Sequence, residues 1–193
     1  MGRRELTKAT NRATILAAGR ETFAELGYGA AGVRDIVRRT DLASGTFYNY
    51  FPDKAAVFRA LVEETGDEAR RRVRAARRGA RTPEAFVEGA FRAFFEFIVE
   101  DPDRFAFVRR NLGAVRAQFG DAVLPASTGE LAEDLRAAIA AGYMPPVDVD
   151  YCAHAMVAVA LELGARLAER SPPDVDGATR FAAALFLGAL SKR

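Results

Sequence analysis

The chain has 193 residues, of which 50% are apolar, and a formal net charge of +2. This length is enough for one large or two small domains with a substantial core. No apolar run approaches the roughly 18 residues of a membrane span, so we expect no contact with a membrane. A single cysteine rules out an internal disulfide and fits the reducing cytoplasm. One cysteine and one histidine disfavour a zinc site made of protein ligands, and we expect no metal and no cofactor.

The charge is divided unevenly along the chain. Residues 1–78 carry 16 Lys and Arg against 10 Asp and Glu, whereas residues 79–193 carry 12 against 16. A basic N-terminal part followed by an acidic remainder is typical of a DNA-facing module joined to a module with another role. A basic helical domain that binds no DNA would show the same charge, so the charge alone does not decide.

The first predicted element is a helix over residues 8–26. Apolar residues recur there at helical spacing, and Gly27 and Gly29 end the pattern. Residues 1–7, with Arg3 and Arg4, are expected to be a mobile arm, which could touch DNA phosphates or simply be disordered.

Two short helices and a tight turn are predicted next, over residues 33–51. Val33, Ile36 and Val37 mark one buried face, and the turn falls at Asp41, a residue type that tolerates the left-handed backbone. In the second helix, Phe47 and Phe51 are four residues apart and should point inward together. The opposite face is then small and polar, which suits a recognition helix in a DNA major groove.

The rest of the chain is predicted to be helical, because prolines separate segments with helical patterns and no strand-like alternation occurs. A long helix from about 53 to 80, capped by Asp53, should connect two modules. Its seven arginines favour an ion-paired connector, and an anion site is the alternative. Further helices are predicted at 83–100, 103–119, 128–142, 148–169 and 175–190, which gives about nine helices in total.

Three motifs resemble the TetR family of bacterial transcriptional regulators: ILAAGRETFAELGY (15–28), VRDIV (33–37) and SGTFYNYFPDK (44–54). The resemblance implies an all-α fold, with a helix-turn-helix DNA-binding domain over residues 1–54. A ligand-binding and dimerisation domain would cover residues 55–193. The residues implied to contact DNA bases or phosphates are Arg34, Ser44, Gly45, Thr46, Tyr48, Asn49, Tyr50 and Lys54.

A ligand pocket is implied by the same resemblance, because family members hold apolar ligands between the helices of the C-terminal domain. Eight of the fourteen phenylalanines lie between residues 86 and 119, more than two amphipathic helices need. Some should line a cavity while others fill the core, and Arg109, Arg110 or Asn111 could meet a polar head group. The candidate ligand residues are Phe91, Phe94, Phe95, Phe107, Arg109 and Arg110.

The effector class follows from a second resemblance. Residues 94–119 are similar to the corresponding segment of TetR-type repressors of unsaturated fatty-acid synthesis, which implies an acyl-CoA or fatty acid. Other apolar drugs or metabolites remain alternatives.

The last two predicted helices, 148–169 and 175–190, are rich in alanine and glycine. Small residues allow helices to approach closely, either within the chain or between two copies. We favour a homodimer interface, because one helix-turn-helix reads only a half-site and two-fold pairs read a palindromic operator.

No catalytic constellation is recognisable, and we expect no enzymatic activity. His154 would have to be the base of any Ser-His-Asp or Cys-His site, and no motif supports that role. Tyr151 and His154 could contact a ligand. The alternatives are a helical small-molecule carrier or enzyme that binds no DNA, and an architectural DNA-binding protein without a ligand.

Overall fold

The computed structural model describes residues 2–119 and 123–190. Within these ranges the chain forms ten α-helices and no strand, so the predicted all-α fold with an N-terminal helix-turn-helix is confirmed. The side chains of Arg3, Arg4 and Phe119 lie outside the described part. The helices are α1 (Arg3–Ala30), α2 (Val33–Val37), α3 (Ser44–Tyr48), α4 (Lys54–Arg78), α5 (Pro83–Glu100), α6 (Pro102–Arg110), α7 (Leu112–Phe119), α8 (Val123–Ala140), α9 (Val149–Ala168) and α10 (Val175–Leu190).

The N-terminal arm differs from the prediction, because residues expected to be mobile are helical from Arg3 onward. The carboxylate of Glu5 accepts a hydrogen bond from the backbone N–H of Gly2 at 3.2 Å. This contact occupies one of the backbone donors that a helix start leaves without a partner. The predicted start near residue 8 was therefore too late by about one turn.

The chain forms two compact units. The first consists of residues 1–66 and 103–118, and the second of residues 67–102 and 119–193. Helix α4 runs from the first unit into the second. The predicted boundary between a DNA-binding domain (1–54) and a ligand-binding domain (55–193) concerns function and not packing, and it stays a prediction.

Three aromatic rings meet in the core of the first unit. Phe23 of α1 contacts Phe58 of α4 with 5.2 Å between ring centroids, and Phe107 of α6 lies 5.5 Å from Phe58 and 6.2 Å from Phe23. All three side chains have no exposed surface. Edge-to-face aromatic contacts add about 1 kcal/mol each to the large gain from burying the rings. This cluster holds α6 against α1 and α4.

The helix predicted over residues 103–119 is interrupted at Asn111, so that α6 and α7 are separate helices. The Asn111 amide is 3% exposed and donates to the carbonyls of Phe23 (3.0 Å) and Phe107 (2.7 Å). Its oxygen accepts from the backbone N–H of Tyr28 at 2.7 Å. Phe23 and Tyr28 lie on either side of Gly27, whose φ of 76° breaks the helical path of α1, so the amide bridges this break. Asn111 is thus a buried bridge, and the expectation that it could meet a ligand head group was wrong.

The second unit is organised around close packing of α5, α9 and α10. A Cβ atom at Gly164 of α9 would lie 2.3 Å from Cδ1 of Ile98 on α5, so a larger residue there would force the end of the Ile98 side chain to move. Phe91 of α5 stacks on Phe95 and on Phe186 of α10, with centroids 5.9 and 5.7 Å apart.

Within the described part, α9 is long and apolar enough to cross a membrane by length and composition. One such helix is weak evidence, because a core helix passes the same test. Here α9 packs against α5, α8 and α10.

The arginines in the second half of α4 form ion pairs with neighbouring carboxylates. Arg72 pairs with Glu68 and Glu100. Arg77, which is 6% exposed, donates from Nε (2.9 Å) and Nη2 (2.7 Å) to one oxygen of Asp134 on α8. Arg72 and Arg77 thus form the ion pairs that were predicted for this connecting helix. Neither of these two guanidinium groups is open to bind an external anion.

We predict that Asp134→Ala lowers the free energy of unfolding by about 3 kcal/mol, because it leaves the buried Arg77 cation without its partner. Chemical denaturation followed by circular dichroism measures this change. Glu133→Ala, at an exposed neighbouring position on α8, should change stability by less than about 0.5 kcal/mol. Equal effects of the two substitutions would contradict the assigned importance of the Arg77–Asp134 pair.

Candidate functional site

Helix α3 has an apolar side and a polar side, as the sequence predicted. Phe47 has no exposed surface and Phe51, just beyond the helix, is 5% exposed. Ser44, Gly45 and Asn49 are exposed, and these are the residues predicted for the DNA-facing side. No charged residue occurs between Ser44 and Phe51. The polar side therefore offers neutral hydrogen-bonding groups and little bulk.

Aromatic and hydroxyl groups flank this polar side. Tyr48 is 58% exposed and its ring packs edge-on against Phe47, with 5.4 Å between centroids. Thr46 is half-buried. The hydroxyl of Tyr50 accepts a hydrogen bond at 3.2 Å from the side-chain amide of Asn11 on α1. Sequence reasoning did not find Asn11, because a lone asparagine in a helix gives no signal of a partner 39 residues away.

The turn between α2 and α3 is made without the left-handed backbone expected at Asp41. Within the described part, positive φ values occur only at glycines. The hydroxyl of Thr40 instead donates to the carbonyl of Val37 (2.9 Å) and accepts from the N–H of Leu42 (3.3 Å). A threonine side chain thus supplies the contacts that close the turn, and the interpretation of Asp41 was wrong.

The cations of the helix-turn-helix divide into exposed and engaged groups. Arg34 of α2 is exposed, and Arg38 forms only a long ion pair with Asp35 (3.9 Å) while 78% of its side chain stays exposed. Arg39 pairs with Glu25 and Glu21 of α1, and its hydrogen bond to Glu25 raises the pKa of its guanidinium. Arg34 and Arg38 are therefore better placed than Arg39 to meet an external anion.

Lys54, predicted to contact a phosphate, lies at the start of α4 beside the end of α1. Its ammonium donates to the carbonyls of Tyr28 (2.8 Å) and Ala31 (2.7 Å), and a third carbonyl, that of Gly29, lies at 3.4 Å. It also lies 4.6 Å from the centroid of the Tyr28 ring. Lys54 therefore holds the end of α1 in place, and a phosphate contact stays a prediction.

The residues predicted to bind a ligand are divided between the two units. Phe91 and Phe95 are buried and Phe94 is half-buried on α5, in the second unit. Phe107, Arg109 and Arg110 belong to α6, in the first unit, where Phe107 fills the aromatic core. The structure does not gather the six side chains within one unit, and their binding role stays a prediction.

A cavity of about 260 Å³ lies in the second unit, and we call it the α9 cavity. It was not predicted, because its apolar residues follow the same helical spacing as ordinary core positions. Of its lining residues, Tyr151 was the one predicted from the sequence as a possible ligand contact. The lining residues come from α5, α8, α9, α10 and the segment between α8 and α9: Val87, Leu135, Met144, Val147, Tyr151, Cys152, Met156 and Phe186.

Metal-binding chemistry is not apparent in the described part, where no three His, Cys, Asp or Glu side chains are grouped to hold an ion. His154 is exposed on α9, with its ring Nδ1 2.9 Å from the carbonyl of Asp150. Its surroundings are those of a surface residue rather than of a ligand site.

Comparison with known proteins identifies the helix-turn-helix. Residues 15–61 match the model of the family described as bacterial regulatory proteins, tetR family. A TetR-family transcriptional regulator from Pectobacterium atrosepticum is 24% identical, with a TM-score of 0.69 over 100% of this chain and 99% of that one. The fatty acid degradation regulator FadR from Bacillus halodurans is 22% identical, with a TM-score of 0.80 over 94% and 97% of the two chains.

A third similar structure, a TetR-like transcriptional regulator from Rhodococcus sp. RHA1, has a TM-score of 0.75 at 19% identity and covers 94% of this chain and 96% of that one. At these identities the structural likeness shows a shared fold, and this shared fold extends over nearly the whole chain. Residues 15–61 of this chain thus match the TetR family of bacterial transcriptional regulators, and the whole chain shares its fold with these three solved structures.

Proposed function

We propose that this protein is a dimeric, ligand-responsive repressor that binds a palindromic DNA operator through α3. The observation that carries the proposal is the division of α3 into a buried aromatic side and an exposed, uncharged polar side. The match of residues 15–61 to the tetR family model supports the role in transcription. The protein would act in the cytoplasm, where DNA is accessible, and no catalytic step is part of the proposal.

Base recognition by α3 would depend on neutral groups. Asparagine pairs with adenine through two hydrogen bonds in the major groove, and hydroxyl groups accept or donate to either base. Gly45 allows the helix to approach the bases closely. Because α3 carries no Arg or Lys, the exposed Arg34 and Arg38 of the preceding segment would supply the phosphate contacts that make binding depend on salt.

Dimer formation would use α9 and α10. Three large apolar side chains are exposed there: Tyr151 (77%), Phe181 (58%) and Leu185 (49%). Exposed apolar groups on neighbouring helices are typical of a protein interface, and two helices from each copy would form a four-helix bundle. The two copies of α3 would then meet successive major grooves about 34–36 Å apart.

The effector is proposed to be an apolar molecule held by the C-terminal part of the chain. A fatty acid or acyl-CoA is the candidate implied by residues 94–119, and one of the similar structures is a regulator of fatty acid degradation. A ligand changes DNA binding only by its difference in affinity for two arrangements of the protein. Helix α6 is well placed to report such a change, since Phe107 and Asn111 attach it to α1.

We predict that Asn49→Ala weakens binding to the operator by about 1–3 kcal/mol and reduces discrimination against scrambled DNA. Fluorescence anisotropy with duplexes from the region upstream of the protein's own gene, at two salt concentrations, measures both quantities. Arg34→Ala should weaken binding to all sequences alike and reduce the salt slope by about one. An Asn49→Ala variant with the wild-type ratio of specific to non-specific affinity would refute base reading by α3.

We predict that Leu185→Glu shifts the protein from dimer to monomer, with at least a tenfold rise in the dimer dissociation constant, because it places a charge in an apolar interface. Sedimentation velocity at several concentrations measures the equilibrium. Leu6→Glu, a matched change at an exposed leucine of α1, should leave the dimer intact. A wild-type protein that sediments as a monomer at micromolar concentration would contradict the proposed interface.

A further inference from the structure

The α9 cavity has walls from four helices of the second unit. Leu135 of α8 and Met156 of α9 are 1% and 3% exposed, so they belong to its inner wall. Tyr151 is 77% exposed and lies at its mouth. None of residues 94–119, which carry the fatty-acid resemblance, lines it. The predicted phenylalanines thus do not line the cavity, although Phe91 stacks on Phe186 in its wall.

The chemistry of the lining is uniform. Four of the eight side chains contain only carbon and hydrogen, those of Val87, Leu135, Val147 and Phe186. Met144 and Met156 are thioethers, which pack well against aromatic rings. The remaining two carry one hydroxyl, in Tyr151, and one thiol, in Cys152.

 None of the eight is Lys, Arg, Asp or Glu. A charged group buried among them would lose its hydration without gaining an ionic partner, at a cost of several kcal/mol. The lining therefore favours a neutral ligand.

The volume of the cavity limits the size of that ligand. An apolar cavity of about 150 Å³ in another protein holds one benzene molecule, and pockets for drug-sized ligands have about 300–1,000 Å³. At about 260 Å³, the α9 cavity accommodates one aromatic ring with a short alkyl substituent. A long-chain acyl-CoA is too large and too highly charged to lie within it.

We propose that the α9 cavity is a binding site for one small, neutral, apolar molecule of about the size of an alkylbenzene. Binding in the cavity does not require the proposed function, but a role of the ligand as effector rests on it. Helices α9 and α10 contribute both to the cavity and to the proposed dimer face. A ligand there would therefore act on the pairing of the two copies.

Cys152 provides an internal reporter of occupancy, because it is the single cysteine of the chain and lines the cavity. It is half-buried, and burial raises the pKa of its thiol. The thiol is consequently neutral at pH 7 and should react slowly with disulfide reagents. A molecule in the cavity should slow this reaction further.

The direct test is titration of the purified full-length protein with ethylbenzene, followed by calorimetry and by the rate of Cys152 modification. We expect saturable binding with one site per chain, a higher melting temperature and slower thiol modification. Benzoate, which has a similar ring but carries a charge, should bind at least tenfold more weakly. Palmitoyl-CoA should not compete with ethylbenzene.

A pair of matched variants locates the site. Val147→Phe places a ring in the cavity and should weaken ethylbenzene binding at least tenfold. Val99→Phe makes the same change at a half-buried position of α5 outside the cavity lining, and it should bind ethylbenzene like the wild type. If Val147→Phe does not fold, protection of Cys152 in the wild-type protein still decides the question.

Several results would contradict the proposal that the α9 cavity binds a small neutral molecule. These are the absence of ethylbenzene binding up to its solubility limit, equal binding of benzoate, or unchanged binding by a folded Val147→Phe variant. Thiol protection that rises with protein concentration alone would assign the cavity mouth to a second copy of the chain instead. A DNA-binding measurement separates the two proposals: if the protein binds ethylbenzene but no DNA, the ligand site stands and the proposed function is refuted.

Discussion

The rings of Phe23, Phe58 and Phe107 meet in the core of the first unit, and the positions of three helices depend on that contact. Phe107 is more than eighty residues from Phe23 in sequence, so the cluster brings a distant helix to the side of the helix-turn-helix unit. Asn111 strengthens the attachment by bonding to the backbone of α1 on both sides of the break at Gly27. A buried amide with three hydrogen bonds has few alternative positions, because moving it would leave several buried polar groups without partners.

The recognition helix depends on this core in turn. With five residues, α3 is too short to be stable alone in water. Its conformation is maintained by burial of Phe47 and Phe51, which leaves the opposite side available for DNA. The same constraint explains why the polar side can consist of small neutral residues: it does not contribute to holding the helix in place.

Helices with strong local signals were predicted closely from the sequence. Thr82 and Asp53 cap the starts of α5 and α4, and both act through their side-chain oxygens in the structure. The inward positions of Phe47 and Phe51 followed from helical spacing. These features depend on residues a few positions apart, and such short-range rules are expressed directly in the sequence.

Features that depend on distant residues were not predicted. The side chain of Asn111 bonds to backbone groups of α1 more than eighty residues away, and the bonds of Lys54 reach carbonyls more than twenty residues away. The α9 cavity is a void between helices, and a void leaves no pattern in the sequence of its walls. The predicted ligand residues illustrate the same limit, since phenylalanine density did not reveal which unit each ring belongs to.

The central claim, that α3 pairs read a two-fold symmetric operator, is tested most directly by selection of DNA from a pool of random duplexes with the purified protein. Sequencing of the bound DNA should reveal an inverted repeat with half-site centres separated by a whole number of helical turns, about 10–10.5 base pairs each. Enrichment of no sequence, or of a single site without two-fold symmetry, would contradict the account.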